Sequence, residues 1–146
     1  MSLELVVDAS VVVKVFVQEE LSREADELLQ RLDDQPPSWF YVPTHFISEC
    51  TNIFWKYIRR FNYPRESARR DLASLQALPF QTVDLSPLPV LELATDFEIT
   101  AYDAGYAALA RHLDIPFVTA DERLVRKLEK GSGKVVWLGN LQQLGL

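Results

Sequence analysis

Leu3-Glu4-Leu5-Val6-Val7-Asp8 decides the fold: an apolar run closed by a carboxylate. It has a counterpart far along the chain, Ile115-Pro116-Phe117-Val118-Thr119-Ala120-Asp121. Each reads as a buried strand with an acid at its carboxyl end. In an open parallel sheet those ends gather on one edge, and ligands bind along it. Asp8 and Asp121, 113 residues apart, can therefore meet in one cleft. Two further acids, Glu49 and Asp103, stand where helices begin or turn inward. Carboxylates converging without basic partners repel by roughly 4 kcal/mol per pair at ~4 Å and an effective dielectric of about 20. Such a cluster keeps protons or holds a hard cation, and Mg2+ with phosphate chemistry is the usual pairing.

The chain between these strands alternates in the same way. Ser22 is placed to cap a helix over 23–33 after a first helix near 10–17. Trp39-Phe40-Tyr41-Val42 reads as a strand, and Pro43 as the start of a long helix, where its missing N–H does no harm. Pro64 opens a helix over 65–77, and Phe80-Gln81-Thr82-Val83 is a strand followed by a helix over 88–97. Thr100 caps a helix over 101–113, Asp121 caps one reaching about 129, and Val135-Val136-Trp137-Leu138 is a last strand. Strands alternating with helices predict an α/β chain: a mostly parallel sheet between helical layers, in one domain over residues 1–146.

Composition bounds the rest. With 48% hydrophobic and 25% charged residues, the chain is an ordinary globule with enough length for a core. No apolar run reaches the ~18 residues of a membrane helix, and the start, Met1-Ser2-Leu3, lacks the basic flank of a signal peptide. Cys50 is the single cysteine, which excludes an internal disulfide and a cysteine zinc cluster. A reduced, cytoplasmic setting is the expectation. Net charge is −6, unevenly spread: residues 1–34 hold nine acids against three bases, and residues 56–70 hold six bases against one acid. That local patch, with Lys56, Arg59 and Arg60 at its head, can attract a polyanion; a solvated helix face is the blander reading.

Helical geometry places Glu49. Phe46, Ile47, Cys50, Ile53, Phe54, Tyr57 and Ile58 form one apolar face, and Glu49 falls on its shoulder. A half-buried glutamate needs a partner: a metal, or a salt bridge to Lys56 or Arg60. Asn52 and Lys56 follow on the same flank and can reach a substrate phosphate. Asp103 and Asp121, taken singly, read more readily as helix-terminus acids than as ligands. Asp8, ending a buried strand, has no such bland use.

In order and spacing, these segments resemble the PIN domain, and within it the VapC-like toxin ribonucleases. The resemblance runs from Val7-Asp8-Ala9-Ser10 through Glu19-Glu20 and the helical Glu49. Its densest stretches are Thr100-Ala101-Tyr102-Asp103-Ala104-Gly105-Tyr106-Ala107-Ala108-Leu109 and Pro116-Phe117-Val118-Thr119-Ala120-Asp121-Glu122-Arg123-Leu124. Gly105 departs from it, since a bulkier residue is expected mid-helix. The resemblance implies an endoribonuclease dependent on Mg2+ or Mn2+, with Asp8, Glu49, Asp103 and Asp121 as the acidic quartet. Ser10 and Thr119 match the flanking hydroxyls that orient carboxylates or water. It further implies RNA as substrate, cleavage leaving a 5′-phosphate and 3′-hydroxyl, a homodimer, and inhibition by a separate antitoxin. With the metal supplying the nucleophile, His45 and His112 are expected to be structural, and Cys50 core.

Rival folds fit worse. A receiver domain wants paired acids after its first strand, and a haloacid-dehalogenase-type phosphatase wants a second aspartate where Ser10 stands. Nucleotide-cofactor enzymes want glycine-rich loops that the five glycines do not form. A housekeeping PIN nuclease and a PIN domain that only binds RNA or protein remain as alternatives. Trp55, Phe61 and Tyr63 exceed what one helix can bury against a sheet, which favours a second chain over them.

Overall fold

The computed structural model describes residues 2–131 and 133–146. Five strands form one parallel sheet: β1 (Glu4–Val7), β2 (Trp39–Pro43), β3 (Gln81–Val83), β4 (Phe117–Thr119) and β5 (Val135–Trp137), in the order β3-β2-β1-β4-β5. The central strand pairs with both halves of the chain. Val6 lies opposite Tyr41 on one side and Phe117 on the other. The chain steps outward from β1 to β3, returns across the sheet, and continues to β5. Right-handed crossovers therefore send the helices before β3 and those after it to opposite faces. The reversal point lies between β1 and β4, above the end of β1, where Asp8 stands.

The sequence explains most elements. Leu5, Val6, Val7, Phe40, Phe117, Val118 and Val136 are fully or almost fully buried, as expected for strands covered on both sides. Helix α6 (Ala101–Leu113) packs on β1, β2 and β4 and stacks Tyr106 on Phe117 with centroids 5.6 Å apart. Its N-cap Thr100 accepts from the Asp103 N–H at 3.1 Å, and α6 ends on Asp114 in the left-handed region. Helix α3 (Phe46–Phe61) buries Phe46, Cys50 and Phe54, the predicted face. Helices α4 (Arg65–Gln76), α5 (Pro87–Phe97) and α7 (Glu122–Leu128) fall close to their predicted ranges.

Four local readings need correction. The expected helix near 10–17 is one turn, α1 (Ala9–Val12), tightening into a 3₁₀ turn over Val13–Val15; five valines in this stretch stiffen the chain against a longer helix. Ser22 does not cap α2 (Ser22–Leu29). Leu21 holds that position at φ 68°, while the buried Ser22 hydroxyl accepts from Glu19 N–H and donates to Val17 O. The second half of the expected 23–33 helix is 3₁₀. Pro43 ends β2 opposite Val83, and α3 starts only after Thr44 and His45. That two-residue delay turns out to matter.

Candidate active site

Asp8 leaves β1 with its carboxylate 5% exposed. Two hydroxyls serve it: Ser10 Oγ donates to Oδ2 at 2.8 Å and Thr119 Oγ1 donates to the same oxygen at 2.7 Å. Each hydroxyl is itself fixed by a backbone N–H of the loop after β4, for Ser10 across the β1–β4 seam and for Thr119 within its own segment. Ser10 Oγ accepts from Ala120 N–H at 3.2 Å, and Thr119 Oγ1 accepts from Asp121 N–H at 3.1 Å. Burial pushes the Asp8 carboxyl up to about 7, the two hydroxyls pull it back, and Glu49 and Asp103 push it up further. Among the described residues no Lys or Arg pairs with it.

The other acids surround it with growing exposure. Glu49, in the first turn of α3, and Asp103, in the first turn of α6, are half-buried; Asp121 is exposed. Desolvation raises the Asp103 carboxyl, and the Glu49 and Asp121 charges add to it. Asp121 Oδ1 caps α7, accepting from Arg123 N–H and Leu124 N–H at 3.0 and 3.2 Å. The cap and cluster readings of Asp121 thus hold together. Neither Lys56 nor Arg60 pairs with Glu49. His45 does, with Nε2 2.9 Å from Oε1. The approach is poorly angled, and Glu49 Oε1 remains buried without a hydrogen bond.

Three open clefts meet at this edge. One of about 510 Å³ is lined by Glu49, Asn52, Lys56 and Asp103. A second, about 270 Å³, lies between Asp103 and Asp121 under Arg123 and Lys127. The third, about 380 Å³, runs from Ser10 and Asp121 to Lys14, Glu19 and Tyr57. Lys14 Nζ is locked on Glu19 at 2.9 Å, and Tyr57 donates to the other Glu19 oxygen at 2.6 Å. Asn52 and Lys56 lie where expected, one and two turns beyond Glu49. Arg59 and Arg60 are exposed near the far end of α3, about 15 Å along the axis from Glu49 at 1.5 Å per residue. Arg59 stacks over Trp55 at 5.9 Å. Cys50 is fully buried, as predicted, and His112 lies exposed in the last turn of α6. Sequence reasoning missed His45, Lys14 and Arg123 as cleft residues. Only Arg123 carried a signal, two positions past a capping aspartate.

Among the described residues no three His, Cys, Asp or Glu side chains form a ready-made cation cage. The donor set nonetheless suits a hard cation: oxygens only, one of them buried and without a hydrogen bond, around a buried acid with no cationic partner. Such donors favour hard divalent cations over softer metals.

Sheet order, helical cover and an acidic carboxyl edge define a PIN domain. The PIN domain model matches residues 5–130, and the chain belongs to that family. Ribonuclease VapC3 of Pyrobaculum aerophilum is 28% identical over 129 residues, spanning 86% of this chain and 95% of its own. The crystal structure of PAE2754 from the same organism is 26% identical, with a TM-score of 0.72 over 99% of this chain and 97% of that one. A toxin-antitoxin complex from Klebsiella pneumoniae contains a chain of the same fold, at 17% identity and TM-score 0.62, covering 90% of this chain and 95% of that one.

Proposed function

We propose that this protein is a divalent-cation-dependent endoribonuclease, the toxin of a VapBC-type pair, acting in the cytoplasm as a homodimer restrained by an antitoxin. The observation that carries the reading is Asp8: a buried carboxylate aimed at a cluster of acids, held by two hydroxyls and no base. Similarity to a named ribonuclease over most of the chain supports it.

Asp8, Glu49, Asp103 and Asp121 would hold the cation. When bound, Mg2+ or Mn2+ supplies charge neutralisation at the attacked phosphate and acidifies a water. The chain supplies the rest. Ser10 and Thr119 keep Asp8 Oδ2 occupied and so fix the plane of its carboxylate. Thr119, receiving the Asp121 N–H, ties the first strand's acid to the loop that presents the last one. Asn52 and Lys56, lining the Glu49 cleft, take phosphates on either side of the scissile bond, and Arg59 and Arg60 extend that track. In-line attack then leaves a 5′-phosphate and a 3′-hydroxyl. An antitoxin segment bearing Arg or Lys would compete for the same acids. Trp55 and Phe61, 53% and 70% exposed, are the surfaces offered to a second copy.

The test is cleavage of single-stranded RNA by purified protein. Activity should require Mg2+ or Mn2+, stop with EDTA, and be absent in a folded Asp8→Asn variant. EDTA-resistant cleavage, or full activity of that variant, overturns the assignment.

A further inference from the structure

We propose that His45 is a positioning residue of the acidic cleft, seated in a socket on α6 formed by Tyr102, Gly105 and Tyr106. That seat sets where Glu49 stands relative to Asp103. The inference rests on the cleft being a cation site, as proposed above.

The socket follows from helical spacing. Residues three and four apart share a face, so Tyr102, Gly105 and Tyr106 make one concave patch with the glycine at its floor. The His45 ring meets Tyr102 edge-on at 5.5 Å and Tyr106 at 5.3 Å. Gly105 is not conformationally unusual; it is a notch. A Cβ there would lie 2.7 Å from His45 Cε1 and within 3.7 Å of both ring nitrogens. The mid-helix glycine that the sequence leaves unexplained is therefore the space the imidazole fills.

The ring's polar end spans two elements. Nε2 lies 3.0 Å from Tyr102 O. A carbonyl only accepts, so Nε2 carries the proton and donates. The same nitrogen stands 2.9 Å from Glu49 Oε1. Tyr102 O belongs to the peptide unit that leads into Asp103. His45 thus joins the acid of α3 to the backbone bearing the acid of α6. Glu49 Oε1 is buried beneath this contact. The delayed start of α3 makes this possible. A helix beginning at Pro43 would carry His45 inside its first turn; the observed chain holds it at the N-cap, φ −85° and ψ 2°, against α6.

Mn2+ alone is the probe, its free concentration read by electron paramagnetic resonance on the full chain. Partners that orient metal ligands are typically worth ten- to a hundredfold in affinity. His45→Ala should weaken Mn2+ binding by about that much. His45→Gln, whose amide N–H can reach the same carbonyl, should recover part of the loss. Gly105→Ala should weaken binding although it removes no polar group, and His112→Ala, a distant control, should not. Should Gly105→Ala fail to fold by circular dichroism, the His45 pair decides. Wild-type or tighter Mn2+ binding by His45→Ala overturns the inference and makes the ring a competitor of the cation. Where wild type binds, Asp8→Asn does not, and both His45 variants match wild type, this inference falls alone. Absence of binding by wild type removes the functional reading as well.

Discussion

The two sides of the acidic cleft are built differently. The floor is Asp8 and Thr119, both buried, with Ser10 beside them, and its hydroxyls accept backbone N–H groups of the loop after β4, that of Ser10 across the β1–β4 seam. The rim, Glu49, Asp103 and Asp121, hangs from helix N-termini, with Glu49 and Asp103 half-buried and Asp121 exposed. A floor fixed by strand register cannot shift without breaking the sheet. A rim carried on first turns moves with its helices and depends on side chains such as His45 to hold its spacing. The floor therefore defines where the charge sits, and the rim how well it is answered.

The sharpest way to break this contrast is to compare acids. Several kcal/mol of charge stabilisation, at about 1.36 kcal/mol per decade, puts the loss of RNA cleavage in Asp8→Asn at roughly a thousandfold or more. Asp121→Asn keeps a competent helix cap and should lose about ten- to a hundredfold. Equal losses in a cleavage assay would erase the distinction between floor and rim.

Stability gives the next effect. Asp8 binds its proton more tightly folded than unfolded, because burial moves it from 3.8 to about 7. Its contribution is therefore most favourable below 3.8, declines as pH rises, and is least favourable above 7. At 1.36 kcal/mol per pKa unit the decline is on the order of 4 kcal/mol. Urea unfolding in EDTA should show Asp8→Asn more stable than wild type above pH 7, the gap closing toward acid. A gap independent of pH would mean that the carboxyl is not the buried acid described. Added Mg2+ should narrow it from the wild-type side.

Smaller effects probe the supports. Thr119→Val removes a donor that lowers the Asp8 pKa, so the acidic limb of the pH–rate profile should move to higher pH while cleavage falls roughly tenfold. An unmoved limb would assign Thr119 to packing alone. Arg59→Glu with Arg60→Glu, farthest from the acids, should weaken RNA binding severalfold across sequences and flatten its salt dependence. An unchanged salt slope would return that stretch to a solvated surface.

The floor was the legible part. An apolar run ending in an acid is a local pattern, and Asp8, Thr119 and Asp121 stand where that pattern puts them. Thr100 and Asp121 also announce their caps in sequence. What stayed hidden depends on contacts between distant segments. Pro43 reads as a helix start until β3 is seen to claim it for the sheet. Ser22 looks like a cap until its hydroxyl is buried against Val17. His45 looks inert because the glycine that receives it lies 60 residues away, and Gly105 looks like a defect for the same reason.

The seam between β1 and β4 also sets a timetable. During synthesis Asp8 leaves the ribosome long before Thr119, and at roughly 5–20 residues per second about ten seconds separate them. During that interval the first strand can gain β2 as a neighbour but has no β4, and its acid lacks the threonine hydroxyl and the loop of Asp121. A chain interrupted before Thr119 keeps the Ser10 hydroxyl beside Asp8 but lacks the second donor and the loop that carries Asp121. The acidic edge is thus assembled only once Asp121 has emerged, a consequence of strand order.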